Sequence, residues 1–207
     1  GARAANITKD VVTNISNMHL YRDRVIVRHE DAGDSLSIAD MALYDSSDDG
    51  DIPFTATTLP AATLALGAET ELYIWTGKTF APNGNITLAG GGSGDIWDGS
   101  LHVATSAIFT ASSVHVYSIG GNWIMDSGAV FTAANSLVHF SATSTSHLIT
   151  QNTSPFYNIG FNGSGGSWSF SDASVTSTNN FTVTAGVVTL PTTQLNIGAS
   201  FRNISGS

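Results

Sequence analysis

Short alternations of apolar and polar residues run along almost the whole chain, and none keeps the 3.6-residue period of a helix. The stretch 121–142, GNWIMDSGAVFTAANSLVHFSA, shows the pattern most clearly. Its three segments, NWIMD, AVFTA and SLVHFSA, are rich in β-formers, too short for stable helices, and separated by Ser-Gly and Ala-Asn corners. Trp123, Val130, Phe131, Leu137 and Phe140 supply the bulky side chains. Strands of similar length are predicted at 24–29, 63–66, 71–75, 85–88, 100–103, 114–117, 147–150, 167–170, 187–190 and 194–197. Turn clusters such as Asn-Gly at 83–84, GGGSG at 90–94 and NGSGG at 162–166 punctuate them.

The pattern also repeats. SAIFTA at 106–111 returns as GAVFTA at 128–133, a shift of 22 residues. Ile119-Gly120, Trp123 and Gly128 are echoed by Ile197-Gly198, Phe201 and Gly206, a shift of 78. ISNMHLY at 15–21 returns as IADMALY at 38–44, with looser copies in FYNIGF at 156–161 and NFTV at 180–183. In each copy a polar residue (Asn17, Asp40, Asn158, Asn180) precedes an apolar one, with a second apolar residue two places on. That spacing is one strand with inward side chains at i and i+2, entered from a corner where Asn or Asp tolerates a left-handed backbone. Such corner residues, stacked, would form a ladder of side-chain hydrogen bonds. Short strands repeating every 20–24 residues predict an all-β chain folded as a right-handed parallel β-helix, a β-solenoid. An antiparallel β-sandwich is the alternative, since short strands with glycine turns also describe that fold. The predicted core stack is Leu137, Phe140, Ile159, Phe161, Phe181 and Val183.

The run FYNIGFNGSGGSWSF, followed by NNFTVTAGVVT and QLNIGASF, resembles the β-helical repeat regions of large bacterial extracellular and surface proteins. The resemblance covers most of 97–207 and, more loosely, 13–60. It implies a right-handed parallel β-helix on long adhesins, stalks or fibres, and it carries over a stacking geometry rather than any catalytic residue.

Charge divides the chain. Ten of its 16 acidic residues and five of its seven basic ones lie within residues 1–51, and no Lys or Arg occurs between Thr79 and Phe201. Residues 1–55 therefore read as charged N-terminal strands with an acidic loop. Residues 56–207 read as a Ser/Thr/Gly-rich continuation of the same array. The net charge of −9 argues against nucleic acid and anionic membrane surfaces as partners, and no apolar run is long enough to span a bilayer. The absence of Cys excludes disulfides and thiolate metal sites. A chain that begins without Met and shows no signal peptide reads as a processed product or an excised fragment.

Four sets of residues are candidates for chemistry. Asp45, Ser47 and Asp49, with Gly50 in sixth place, match the front half of a calcium loop. The twelfth-position Glu is missing, Ala56 standing there, so Asp51 would have to serve in another geometry; the bland alternative is a solvated acidic turn. Asp95 and Asp98 flank Trp97, the best sugar-binding constellation in the chain, although Trp75, Trp97, Trp123 and Trp168 are residues that more often fill a core. Asn6, Asn14, Asn85, Asn152 and Asn162 head Asn-X-Ser/Thr sequons that would accept glycans where they face solvent. Asn180 and Asn203 do so too, Asn180 being disfavoured by its corner position. The histidines are scattered, with His102, His115 and His139 at outward strand positions.

No catalytic residue is assigned. Glycoside hydrolysis needs two carboxylates facing one cleft. Lyase chemistry needs a base with cationic support, and residues 79–201 hold four acids and no Lys or Arg. The expectation is a non-enzymatic extracellular or cell-surface structural β-solenoid, part of a fibre, filament or adhesin. Its partners would be other copies stacked head to tail or neighbouring repeats, with glycans as further partners and calcium as a candidate cofactor. A carbohydrate-binding or polysaccharide-degrading β-helix module is the alternative.

Overall fold

A strand of three or four residues with apolar side chains at i and i+2 offers one narrow apolar face, and only stacking makes that face continuous. The computed structural model describes residues 4–9, 15, 18–43, 52–91, 97–112 and 114–204, and in it the stacking is parallel throughout, apart from one hairpin. The chain is a β-solenoid, not a sandwich. The first face stacks Ala4–Lys9, Arg24–His29, Glu71–Ile74, Leu101–Val103, Trp123–Met125, His147–Ile149 and the C-terminal parts of Asn158–Phe170 and Phe181–Thr189. The second face stacks Thr63–Leu66, Asn85–Leu88, Val116–Ile119, Leu137–Phe140, the N-terminal parts of the same two long strands, and Phe201–Asn203. The third face holds Thr79–Phe80, Ile108–Thr110, Val130–Thr132, Ser174–Ser177 and Gln194–Ile197, continued by isolated bridges at Leu36–Phe80 and Phe156–Ser177. Each coil visits the first, third and second faces in turn.

The register confirms most of the predicted periodicity. Phe109 pairs with Phe131, 22 residues on, and Ile159 and Phe161 pair with Phe181 and Val183. Some rungs are longer: Tyr117 pairs with Ile86 at a shift of 31 residues, and Leu72 with Val25 at a shift of 47. Along the axis the core becomes a column of rings. Phe80, Phe109 and Phe131 stack at 6.0 and 5.3 Å, Phe140 on Phe161 at 5.1 Å, and Phe181 follows Phe161 at 5.4 Å.

Three expectations are corrected. Leu137 lies on the outer side of its strand, and the inward residue is Val138, fully buried and in register with Ile159. Leu137 and Phe140 are three apart, an odd spacing that a period of two cannot place on one side. The described residues of the 15–21 and 38–44 copies form no strand. Met18, Leu20 and Tyr21 are exposed irregular chain, whereas Ile38–Ala42 is a short helix. Ser37 and Asp40 form a reciprocal capping box there, and Ile38 and Met41 point into the core. The 78-residue echo joins different faces, Ile119 lying on the second and Ile197 on the third.

The two ends of the described solenoid differ. At the N-terminal end the helix packs against Phe54–Thr57, which pairs antiparallel with Thr63–Leu66 and closes the second face. At the other end Phe201 stacks on Phe181 at 5.6 Å yet is 52% exposed, and Val187, Leu190 and Ile204 are exposed as well.

Candidate binding surface

The charged residues converge on the outer side of the first face. Alternation in 71–75 sends Leu72 and Ile74 inward and leaves Glu71, Tyr73 and Trp75 on the other side, where Arg24 from the rung before and His102 from the rung after meet them. The Glu71 side chain is fully buried. Its carboxylate lies 2.5 Å from Arg24 Nε and 3.3 Å from His102 Nδ1, and His102 Nε2 lies 3.0 Å from Asp126 Oδ1. The angles are not those of aligned hydrogen bonds, so charge holds the group together. Arg24, Glu71, His102 and Asp126 thus alternate in sign diagonally across four rungs. Burial opposes a charged His102, but the Glu71 and Asp126 carboxylates outweigh it and hold the imidazole above its usual value.

Aromatic rings surround this ladder. The Arg24 guanidinium lies 4.3 Å from the Trp97 ring centre, 5.0 Å from Tyr73 and 5.4 Å from Tyr21. His19 and Tyr21 lie nearly parallel to Trp75, at 5.3 and 6.4 Å. A recess of about 450 Å³ opens between Tyr21, Arg22, Asp23, Arg24 and Trp97. Other bases nearby are paired as well: Arg22 with Asp23, Arg28 and Lys78 with Glu30, and Lys9 with Asp34 and Asp40. The recess is therefore close to neutral.

The sequence-based candidates fare differently. Asp45, Ser47, Asp49 and Asp51 lie outside the described residues, as do Asp95 and Asn14. Trp97 is half-buried beside Arg24, and Asp98 next to it bonds to backbone. It is buried, and its Oδ1 accepts from the backbone N–H groups of Glu69 and Gly91 at 2.8 and 2.6 Å, pinning a turn between rungs. Trp123 and Trp168 are core. Among the sequons, Asn6 donates to the His19 carbonyl, Asn85 accepts from Val116 N–H and Asn152 donates to the Asp126 carbonyl, whereas Asn162 is exposed. The expected corner ladder is present in part: Asn158 accepts from Asn179 Nδ2 at 2.9 Å and from Asn180 N–H at 3.3 Å. Among the described residues no three His, Asp or Glu side chains converge as a metal site.

The sequence reading missed Arg24, Glu71 and Tyr21. The signal was available, since strict alternation in 24–29 and 71–75 assigns Arg24, Glu71, Tyr73 and Trp75 to the outer row. The partner rung was hidden by the long insertion between them. No protein-family model, curated protein or solved structure matches the chain.

Proposed function

We propose that this chain is rigid, non-catalytic building material, a β-solenoid segment of an extracellular or cell-surface fibre that extends by stacking rung on rung. The observation that supports this reading is the contrast between the ends. A helix and hairpin cover the core at one, while at the other the parallel strands 187–189, 194–197 and 201–203 are paired on one side only among the described residues, with Phe201 exposed. Bare parallel edges over an apolar column invite a further strand layer. The strand Ala4–Lys9, paired on one side only among the described residues, is a suitable donor from another copy, and a heterologous contact of this kind propagates. Sedimentation and negative-stain microscopy test this: the chain associates end to end with rising concentration, and Phe201→Lys returns it to monomer. A parent chain that stays a 21.5 kDa monomer at high concentration removes the reading.

Carbohydrate recognition is the second reading, favoured by the neutral recess between Tyr21 and Trp97. Aromatic faces with a paired Arg and Asp at the rim suit the apolar and hydroxyl sides of a sugar. Binding on a glycan array that Tyr21→Ala removes, with the melting temperature unchanged, is the expected result; an array with no hits rejects it.

A further inference from the structure

On the outer side of the second face one residue per rung lies in register: Thr87, Ser118, His139, Gly160, Thr182 and Arg202. Gly160 is the gap in that row. Glycine weakens a strand interior, so its presence there calls for a reason. The other described glycines supply one. Each has a left-handed φ, or would place a Cβ within 3.0 Å of a neighbouring atom, or, like Gly67, lies outside any strand. Gly160 has none of these. Its φ is ordinary, and a Cβ would sit at 3.4 Å from His139 Cδ2 and 3.6 Å from Leu137 Cδ1, ordinary contact distances. The backbone tolerates a side chain; the glycine instead leaves a floor, itself buried beneath the neighbouring Leu137 and His139 side chains, with open space beside them.

That space is a slot of about 390 Å³ spanning three rungs. Leu137 and His139 line it from the rung before, Asn158 and Asn162 from its own rung, and Asn180 and Thr182 from the rung after. No lining residue is an acid, lysine or arginine. Asn158 is held in place by the two bonds it accepts from Asn179 and Asn180, so part of the rim is preorganised. Burial lowers the His139 pKa, which keeps the ring neutral near pH 7 and able both to donate and to accept.

We propose that this slot binds one ring of a neutral saccharide. A charged ligand would lose water there without gaining a counter-charge. A purely apolar one would leave the amides, hydroxyl and imidazole without partners. A pyranose offers a C–H face for Leu137 and the imidazole, and hydroxyls at its rim for Asn162, Asn180 and Thr182. The slot lies on the second face, apart from the Tyr21–Trp97 recess on the first, and it rests on neither reading of the fibre or the recess.

The test is a glycan array carrying neutral and uronate- or sulfate-bearing oligosaccharides, followed by titration of the strongest neutral binder under NMR observation. Saturable shifts of the His139 imidazole and the Thr182 amide are expected. Gly160→Val should weaken binding at least about tenfold by filling the slot, with the melting temperature held within a few degrees because a β-branched residue suits a strand. Asn162→Ala, a change at an exposed side chain, should weaken binding without touching the fold, and Trp97→Ala should leave these shifts intact. The proposal is overturned if no neutral glycan binds, if charged glycans bind His139 equally well, or if neither Gly160→Val nor Asn162→Ala reduces the shifts.

Discussion

Removing Arg24 isolates the Glu71 carboxylate, and the structure sets the size of the effect. Glu71 is fully buried and Arg24 is 16% exposed, so the pair is an interior one rather than a surface bridge. Deleting one partner of such a pair typically costs about 3–5 kcal/mol, because the other charge stays buried without compensation. His102 at 3.3 Å retains part of the compensation, which puts Arg24→Leu near the lower end, at about 3 kcal/mol. The lost stacking of the guanidinium on Trp97 and Tyr73 adds about 0.5–1 kcal/mol. For a chain of this size each kcal/mol moves the melting temperature by about 2–4 °C, so a fall of roughly 7–16 °C is expected. The double variant Arg24→Leu/Glu71→Leu should recover most of that loss, since an apolar pair replaces a desolvated ionic one. Thermal melts followed by circular dichroism measure the total. Amide exchange at Leu72, Ile74, Leu101 and Val103 places it on the right rungs, because a solenoid opens locally. A loss below about 1 kcal/mol, or a double variant no better than the single, would mean that the buried ladder is not what joins these rungs.

The histidines make the stability profile two-sided. His102 is held above its usual 6.5 in the folded chain, so its contribution is complete below about 6.5 and is lost as pH rises through the folded value; His102→Gln should flatten that alkaline decline in urea titrations from pH 6 to 9, and an unchanged slope would contradict the assignment. His139 and His147 are held below 6.5 by burial, so acidification protonates the unfolded chain first and stability falls below about pH 6.5. His147→Asn should soften that acid limb, and an acid limb as steep as the parent's would count against His147. Phe181, fully buried between Phe161 and Phe201, cannot take a carboxylate: Phe181→Asp should cost several kcal/mol and open its rung to exchange, whereas a parent-like melt would show the inward register to be wrong.

Much of the fold was legible because the signal was local. Phe156 to Val183 keeps its inward residues two apart and its rungs about 22 apart, so the sequence shift and the pairing register coincide. The reading failed where a local pattern was shared by two conformations. IADMA alternates well enough for a strand, but Ser37 three residues before Asp40 is also a capping box, and the box prevailed because a helix lets Ile38 and Met41 both reach the core. The Asp95–Trp97–Asp98 constellation is a different case, with Asp95 outside the described residues. Proximity in sequence does not say which way a carboxylate turns, and two backbone N–H groups in the neighbouring turns claim Asp98. The Arg24–Glu71–His102–Asp126 ladder joins four rungs, which a single sequence reveals only after the insertions between them have been located.

The concentration of charge at one end and hydroxyls at the other follows from how the rungs are closed. Where long insertions separate Arg24–His29 from Glu71–Ile74, successive strands cannot be joined by a tight corner, and ion pairs across rungs (Arg24 with Glu71, Lys78 with Glu30) supply contacts that span the gap. From Trp123 onward most rungs are 20–22 residues, and past Asp126 hydrogen bonds from side chains to backbone take the place of ion pairs across rungs. Gln151 shows how. Its amide donates to the Thr176 carbonyl and accepts from the Thr176 N–H, standing in for a backbone residue on the third face where no strand forms. Asp172 does the same for a turn, accepting from the N–H groups of Gln151 and Asn152. Regular rungs need few charges, and the outer row of the second face around Gly160 carries no salt bridge among the described residues. The slot at Gly160 is open to a neutral ligand for that reason: the rungs around it are held from inside by Phe140, Phe161 and Phe181, and their outer side chains are not needed to hold the coil together.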